Sequence, residues 1–450
     1  MRRLFGTDGI RAVAGEAPLD PKTIYAAGIA LAHQLKANSH RPSIILGMDT
    51  RESSEWIAAV LTAGLIEGAA TVESAGVITT PGVAYLARSR GFSAGVVISA
   101  SHNPWHDNGI KVFGGDGYKL PDETELLIED EIFRQLESIS APNPESLATP
   151  TENPSFRKDY EQFLVSAVPG LSLNDRRIVV DCANGAASAI APELLGKLCS
   201  STTLTHASPN GRNINADCGA LHPAVVAAET KAAGADIGIT FDGDADRALF
   251  ACRQGKVVNG DAILLLAARD LKTRGLLNGG VVVATTMSNM GLEAALRRHQ
   301  IKMLRAPVGD KYVLEMMQAN HAALGGEQSG HILFPHLATT GDGLLTALVV
   351  LDILERSGKQ LDELIADLKV FPQTIVNIRV KEKKPLDSID SVAARIREAE
   401  ESLNGNGRVV VRYSGTEPLA RVMIEAESED LMRRHAEAIA GAIRESLGAQ

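Results

Sequence analysis

Ala94-Gly95-Val96-Val97-Ile98-Ser99-Ala100-Ser101-His102-Asn103-Pro104 is a short apolar run that stops in a tight turn. Small residues followed by Asn-Pro reverse the chain at the end of a strand. In α/β sheets the carboxyl ends of strands are where ligands bind. A serine held there is predicted to be exposed and able to accept or donate a phosphoryl group. Taken alone, the same residues also read as a plain connecting turn. Ten residues beyond Ser101, in Asn108-Gly109-Ile110-Lys111, stands a lysine suited to steadying transferring charge or handling a proton.

Outward from this stretch the same grammar repeats. Ser43–Met48, Ala94–Ser99, Arg177–Cys182, Ala235–Phe241, Val281–Thr285 and Lys302–Arg305 are short β-branched runs, with amphipathic helical patterns between them. Ser54–Glu67 is one such helix, with Ile57, Val60, Leu61 and Leu65 on one face and Ser54 placed to cap its start. Strand-then-helix alternation predicts α/β units with largely buried sheets. The tail differs: strands at Thr374–Val380, Arg408–Tyr413 and Arg421–Glu427, then a helix at Leu431–Leu447, predict a small α+β unit. A Pro/Asn/Ser/Thr-rich linker at Ala141–Pro154 and breaks after Cys252 and at Phe371-Pro372 divide the chain into residues 1–155, 156–253, 254–371 and 372–450. No tandem repeat stands out.

Three further motifs carry chemistry. Asp242-Gly243-Asp244-Ala245-Asp246-Arg247 follows an apolar strand and sets three carboxylates at alternate positions. Their repulsion raises their pKa values unless a cation sits among them, and oxygen-only ligands suit a hard ion such as Mg²⁺. Arg247 and Arg253 stand where a calcium loop needs Gly and Glu. Gly325-Gly326-Glu327-Gln328-Ser329-Gly330-His331 lets backbone approach a ligand closely. Within it Glu327 can accept from sugar hydroxyls, Ser329 can donate or accept, and His331 can move a proton or bind phosphate. Arg412-Tyr413-Ser414-Gly415-Thr416-Glu417-Pro418, with Arg421 close behind, offers a guanidinium, two hydroxyls and free N–H groups, a cradle for a phosphate monoester. Each of these also reads, by itself, as an acidic turn, a flexible loop or a hairpin. Arg11 follows the turn Phe5-Gly6-Thr7-Asp8-Gly9-Ile10. If the loops converge, Arg11, Lys111, Arg247, His331, Arg412 and Arg421 make a cationic pocket.

Such a pocket is needed, because the chain carries 45 Lys and Arg against 55 Asp and Glu, a net −10. With no long basic run and only 4% aromatic residues, nucleic acid is not the expected partner. No apolar run is long enough to span a bilayer, so no membrane partner is expected either. The four cysteines are scattered with no Cys-x-x-Cys pair, and the first residues carry no signal-peptide core. Both fit a cytoplasmic protein with reduced thiols.

Together the motifs resemble those of the α-D-phosphohexomutase family, in order and over essentially the whole chain. The resemblance implies four domains around a central cleft, three α/β domains with mixed sheets and a smaller C-terminal α+β domain. It implies that Ser101 is the phosphoserine and, with Asp242, Asp244 and Asp246, a ligand of one Mg²⁺ per subunit. Arg11, Lys111, Arg247 and His331 become catalytic residues. Glu327, Gln328, Ser329, Arg412, Ser414, Gly415, Thr416 and Arg421 become substrate-binding residues. The implied activity interconverts the 6- and 1-phosphates of a sugar through a 1,6-bisphosphate, and relatives often form homodimers. Gln328, Thr286-Met287-Ser288-Asn289 and Gly341-Asp342-Gly343-Leu344-Leu345-Thr346 resemble the amino-sugar branch. That branch works through glucosamine 1,6-bisphosphate and feeds UDP-N-acetylglucosamine and cell-wall precursors. The alternatives are a family member acting on mannose or glucose phosphates, or an idle sugar-phosphate sensor. Two residues depart from the family pattern: Ala12 replaces a glycine, and Tyr413 replaces a proline in the phosphate loop.

Overall fold

A computed structural model describes residues 4–6, 8–36, 41–173, 175–414 and 417–448. Contacts gather the chain into two compact units, Met1–Thr286 with Leu304–Leu364, and Met287–Met303 with Ile365–Gln450.

The first unit carries three sheets. One contains β1 (Ile10–Val13), β2 (Ser43–Met48), β3 (Thr71–Val77), β4 (Ala94–Ile98) and β5 (Asp107–Gly114). The next contains β6 (Arg177–Asp181), β7 (Ser201–Thr205), β8 (Ile237–Phe241), β9 (Ala248–Cys252) and β10 (Val257–Val258). The third contains β11 (Val281–Thr285), β12 (Lys302–Ala306), β13 (Gly325–Gly326) and β14 (Ile332–Leu333). Every residue of β4 and of β8 is buried, as expected of strands covered on both faces.

The three sheets share one plan. Their strand orders contain β5-β4-β2-β3, β9-β8-β6-β7 and β14-β13-β11-β12. In each, a central strand pairs in parallel with a second strand: β2 with β4, β6 with β8, β11 with β13. That second strand then turns back as an antiparallel hairpin, into β5, β9 and β14. The three hairpin loops are the Ser101 turn, the Asp triplet and the Glu327 turn. Threefold repetition that sequence comparison by eye does not find is therefore present in the topology. In the first sheet β1 adds antiparallel to β5, pairing Arg11 with Gly109 and so bringing Arg11 beside the strand of Lys111.

The second unit is the expected small α+β structure. β15 (Gln373–Arg379), β16 (Gly407–Tyr413) and β17 (Leu419–Ala426) form an antiparallel sheet of order β15-β17-β16. Its core includes Val422, Ile424, Ile439 and Ile443, with helices Asp390–Leu403 and Glu429–Leu447 supplying part of it. Helix Met290–Arg298 belongs to this unit. Asn289 caps it, exchanges hydrogen bonds with the Phe371 backbone, and the buried Glu425 accepts the Met290 N–H at 2.7 Å.

One sequence expectation shifts. The helix predicted from Ser54 begins two residues earlier, at Glu52, with Arg51 at the N-cap position and no side-chain cap. Ser54 is inside the helix, and its hydroxyl donates instead to Asp49 at 3.1 Å.

Asp49 and Arg51 are completely buried and paired at 2.9 Å. The guanidinium also donates to the carbonyls of Ser101 and Asn103, both at 2.9 Å, of Asp107 at 3.0 Å, and of Pro104. Asp49 takes the Ser99 hydroxyl at 2.7 Å. One buried ion pair thus satisfies the backbone of the whole turn between β4 and β5. Removing one partner leaves the other charge buried and several carbonyls unmet, at a cost of about 3–5 kcal/mol. Arg51→Leu is expected to lower the stability of the first unit by that amount in urea unfolding. A change below about 1 kcal/mol would show that water replaces the guanidinium without loss.

Candidate active site

The first two hairpin loops meet face to face. The Ser101 hydroxyl donates to Asp242 Oδ2 at 2.5 Å. The serine predicted to be exposed is only 1% exposed, because the acidic loop lies over it. Contact is close enough to exclude side chains: a Cβ on Gly243 would lie 2.5 Å from the Ser101 carbonyl oxygen. Ser101 itself adopts φ 52°, in the left-handed region that non-glycine residues seldom occupy. The clamp of Arg51 from one side and Asn215, whose amide donates to the carbonyls of Ser101 (2.9 Å) and Asn103 (3.1 Å), holds it there.

The three aspartates place one carboxylate oxygen each within 4.8 Å of one another. Cations surround them. Lys111 Nζ lies 2.8 Å from Asp244, 3.0 Å from Asp8 and 3.7 Å from Asp246. Thr80 donates its hydroxyl to Asp244 at 2.5 Å, and the Arg247 backbone N–H reaches Asp242 at 3.2 Å. Arg247 Nε and His331 Nδ1 approach Asp246 at 3.7 and 3.6 Å. The third hairpin loop supplies this histidine.

Electrostatics follow from this crowding. Burial, joined by the charges of Asp246 and Asp244, pushes the Asp242 carboxyl well above the usual carboxylate range. For Asp246 burial acts in the same sense, but the Lys111 charge, with the nearby His331 and Arg247, holds it well below that range. Burial opposes the charge on Lys111, yet Asp244, Asp8 and Asp246 outweigh it and keep the ammonium protonated. His331 is pushed up to about 9: burial works against it, while Asp246, Asp310 and Glu327 more than compensate. Among the described residues, no hydrogen-bond donor reaches the buried Asp244 Oδ1 or Asp246 Oδ1. Orphaned anionic oxygens inside a closed acidic loop fit a hard divalent cation.

A cavity of about 410 Å³ opens beside this cluster, lined by Arg11, His102, Lys119, Arg247, Glu327 and His331 among others. Arg11, Lys111, Arg247 and His331 therefore converge on the acidic loop as their spacing in the chain allows. Glu327 lines the cavity, with Oε1 accepting from Gly309 N at 3.1 Å and Oε2 from Ser329 at 3.3 Å. Gln328 sits in the same turn, but its amide donates away from the cavity, to Asp261 at 3.2 Å.

Arg412, Ser414 and Arg421 lie in the second unit; Gly415 and Thr416 fall outside the described residues. Arg412 and Arg421 are directly opposed across β16 and β17. Like charges at such a pair repel, which suits an anion shared between them. The Tyr413 hydroxyl donates to the Lys384 carbonyl at 2.6 Å, and Lys383 donates to the Ser414 carbonyl at 2.7 Å.

Several site residues escape sequence reasoning. Asp8 pairs with Lys111, Arg11 and, at 2.6 Å, Lys119, which also meets Asp310 at 2.6 Å. Thr80, Arg51 and Asn215 hold the two central loops. The available signals are weak: Asp8 is in the quoted glycine turn, Asp49-Thr50-Arg51 directly follows a strand, and Asn215 has no local mark.

Comparison with known proteins agrees with this geometry. Profiles described as Phosphoglucomutase/phosphomannomutase, alpha/beta/alpha domains I, II and III match residues 2–138, 158–255 and 259–371, and the C-terminal domain profile matches residues 375–442. The chain belongs to the phosphoglucomutase/phosphomannomutase family, the α-D-phosphohexomutases. Over all of its length it is 58% identical to the phosphoglucosamine mutase of Koribacter versatilis, 98% of which is covered. Its fold matches a phosphoglucomutase/phosphomannomutase family protein from Burkholderia thailandensis (TM-score 0.77, 22% identity, 98% of this chain and 99% of that one). It also matches Aspergillus fumigatus N-acetylphosphoglucosamine mutase in complex with GlcNAc-6P and magnesium (TM-score 0.60, 19% identity, 98% and 96% covered).

Asp244→Asn removes one anionic ligand from the triplet while keeping its size. Magnesium affinity, measured by calorimetry on the whole chain, is expected to fall at least about tenfold. Unchanged affinity would place the cation elsewhere.

Proposed function

We propose that the chain is a phosphoglucosamine mutase, converting glucosamine 6-phosphate to glucosamine 1-phosphate through phosphorylated Ser101. The observation that carries this reading is the 2.5 Å approach of the Ser101 hydroxyl to the Asp triplet. Full-length 58% identity to a phosphoglucosamine mutase supports the choice of sugar.

On this reading Asp242, Asp244 and Asp246, with phosphorylated Ser101, would hold Mg²⁺, which would offset the negative charge of the phosphoryl group. The magnesium named with the Aspergillus fumigatus mutase supports this ion. Phosphoryl transfer depends on positioning and charge stabilisation rather than on covalent help from the protein. Arg11, Arg247 and Lys111 supply fixed positive charge around the transferring group. In the first half-reaction the bond between phosphorus and Ser101 Oγ breaks, one to the sugar O1 forms, and the departing Oγ takes up a proton. The O1 proton leaves to the neutral form of Lys111 or of His331, the minor form of each in the resting site, where both flank Asp246. The product is glucosamine 1,6-bisphosphate. The sugar then turns over, its bond between phosphorus and O6 breaks, Oγ gives up its proton as its bond to phosphorus is remade, and O6 takes one up.

Glu327 and Ser329 accept and donate to sugar hydroxyls in both orientations. Arg412, Ser414, Gly415, Thr416 and Arg421 anchor the phosphate that is not reacting. The parts correspond to four domains, residues 1–155, 156–253, 254–371 and 372–450, each contributing one loop. The setting is the cytoplasm, where the product enters synthesis of cell-wall precursors.

Ser101→Ala is expected to lower mutase turnover on glucosamine 6-phosphate by at least about 10³-fold, because it removes the group that carries the phosphoryl. Intact mass of the unaltered protein is expected to show one phosphate on Ser101 that substrate removes. Full turnover by the alanine variant would end the reading. Arg421→Ala is expected to raise KM about tenfold by removing one guanidinium from the phosphate, and an unchanged KM would exclude it from the anchor.

A further inference from the structure

Gln328 marks the sugar-recognition turn, yet its side chain is turned into the protein. Its side-chain amide donates to Oδ2 of Asp261 at 3.2 Å, and its backbone carbonyl accepts the N–H of Gly260 at 3.0 Å. Gly260 and Asp261 open the helix Gly260–Thr273, capped by Asn259. Gly260 is required there: a Cβ would run into the Glu327 carbonyl oxygen and lie 3.1 Å from the Gln328 carbonyl carbon. Asp261 is 2% exposed and does not line the cavity beside the Asp triplet. The turn itself is narrow, closed by Glu327 N to His331 O at 2.9 Å and Gly330 N to Glu327 O at 3.0 Å. Two anchors therefore fix its outer edge to the helix start, while Glu327 and His331 face the cavity on its inner edge.

We propose that Asp261 is a specificity-positioning residue, acting on the sugar through Gln328. The pair sets where the Glu327 carboxylate and the Ser329 hydroxyl stand, and so which pattern of hydroxyl and amino groups the turn accepts. Gln328 contributes to the choice of sugar without touching it. This rests on the mutase reading for the identity of the sugar, but not for the contact itself.

The test is a polarity reversal in the full chain. Gln328→Glu brings a second carboxyl against Asp261; at a pH above that at which such a buried pair shares a proton, both are charged and they separate, so the measurements are made there. Adding Asp261→Asn restores a donor–acceptor pair with its direction reversed. Two readouts are followed: hydrogen exchange over residues 325–333, and calorimetric affinities for glucosamine 6-phosphate and glucose 6-phosphate. Gln328→Glu alone is expected to speed exchange across the turn and to reduce the preference for the amino sugar about tenfold. The double substitution is expected to bring both back to within about threefold of the unaltered protein. If Asp261→Asn restores neither, Gln328 acts on the ligand directly and the proposal falls. It falls equally if Asp261→Ala leaves both exchange and preference as they were. Failure of the mutase reading looks different: the unaltered protein then shows no turnover, while the exchange measurements still report on the pair.

Discussion

Three carboxylates held within 4.8 Å of one another inside a protein are the constraint on which the site depends. Two unit charges about 4 Å apart repel by roughly 4 kcal/mol at an effective dielectric of about 20. A loop carrying three of them folds inward only if positive charge is brought to it. Lys111 comes from β5, Arg247 from the loop itself and His331 from the third hairpin, and each approaches Asp246. Asp8 pairs in turn with Lys111 and Lys119, so part of that positive charge is itself compensated. The serine hydroxyl then meets Asp242 as part of the same compensation. The reacting group and the acidic loop are placed by one charge balance.

That balance is possible because the three sheets deliver equivalent loops. In each, the loop leaves the strand paired in parallel with the centre and returns antiparallel. The supports are repeated too. Asp49, just past the end of β2, takes the hydroxyl of Ser99 at 2.7 Å. Asp181, at the end of β6, takes the hydroxyl of Thr240 at 3.1 Å, along with the Gly219 N–H at 2.8 Å. A buried carboxylate on the central strand thus braces the start of the neighbouring loop in both sheets. An aspartate and a hydroxyl residue are too common for their recurrence to reveal the repetition in the letters.

What could be read from the sequence was whatever depends on local pattern. Strands such as β2 and β11 match their predicted bounds, because continuous β-branched runs between turn residues leave little choice. The chemical motifs were visible for the same reason: Ser101, the Asp triplet and Glu327 each sit in a contiguous turn. The burial of Ser101 was not visible, since it is imposed by Gly243 from a different sheet. Nor was the displaced helix start at Glu52. Ser54 has the right side chain for a cap, but Asp49 competes for its hydroxyl. Arg51 and Asn215 act across 50 and 114 positions of chain, where no local signal exists. The partner of Tyr413, which stands where the family has proline, was not legible either: its hydroxyl donates to the Lys384 carbonyl, 29 positions away.

The two ligand-facing turns differ in how tightly they are held, and the difference suits a mutase. The Ser101 turn is fixed by a fully buried guanidinium and by Asn215, with bonds to the serine's own carbonyl at 2.9 Å from each. The Glu327 side chain is held by longer contacts, 3.1 Å to Gly309 N and 3.3 Å from the Ser329 hydroxyl. In the proposed reaction the same serine gives its phosphoryl group to O1 and takes one back from O6. Both transfers need the acceptor and donor atoms aligned with one phosphorus, so the serine must not move between them. The sugar must instead present two different faces to the same carboxylate. A rigid serine and a carboxylate whose own bonds can be exchanged for sugar hydroxyls satisfy both demands. The reverse arrangement would lose alignment at the reacting atom and gain nothing at the recognition loop.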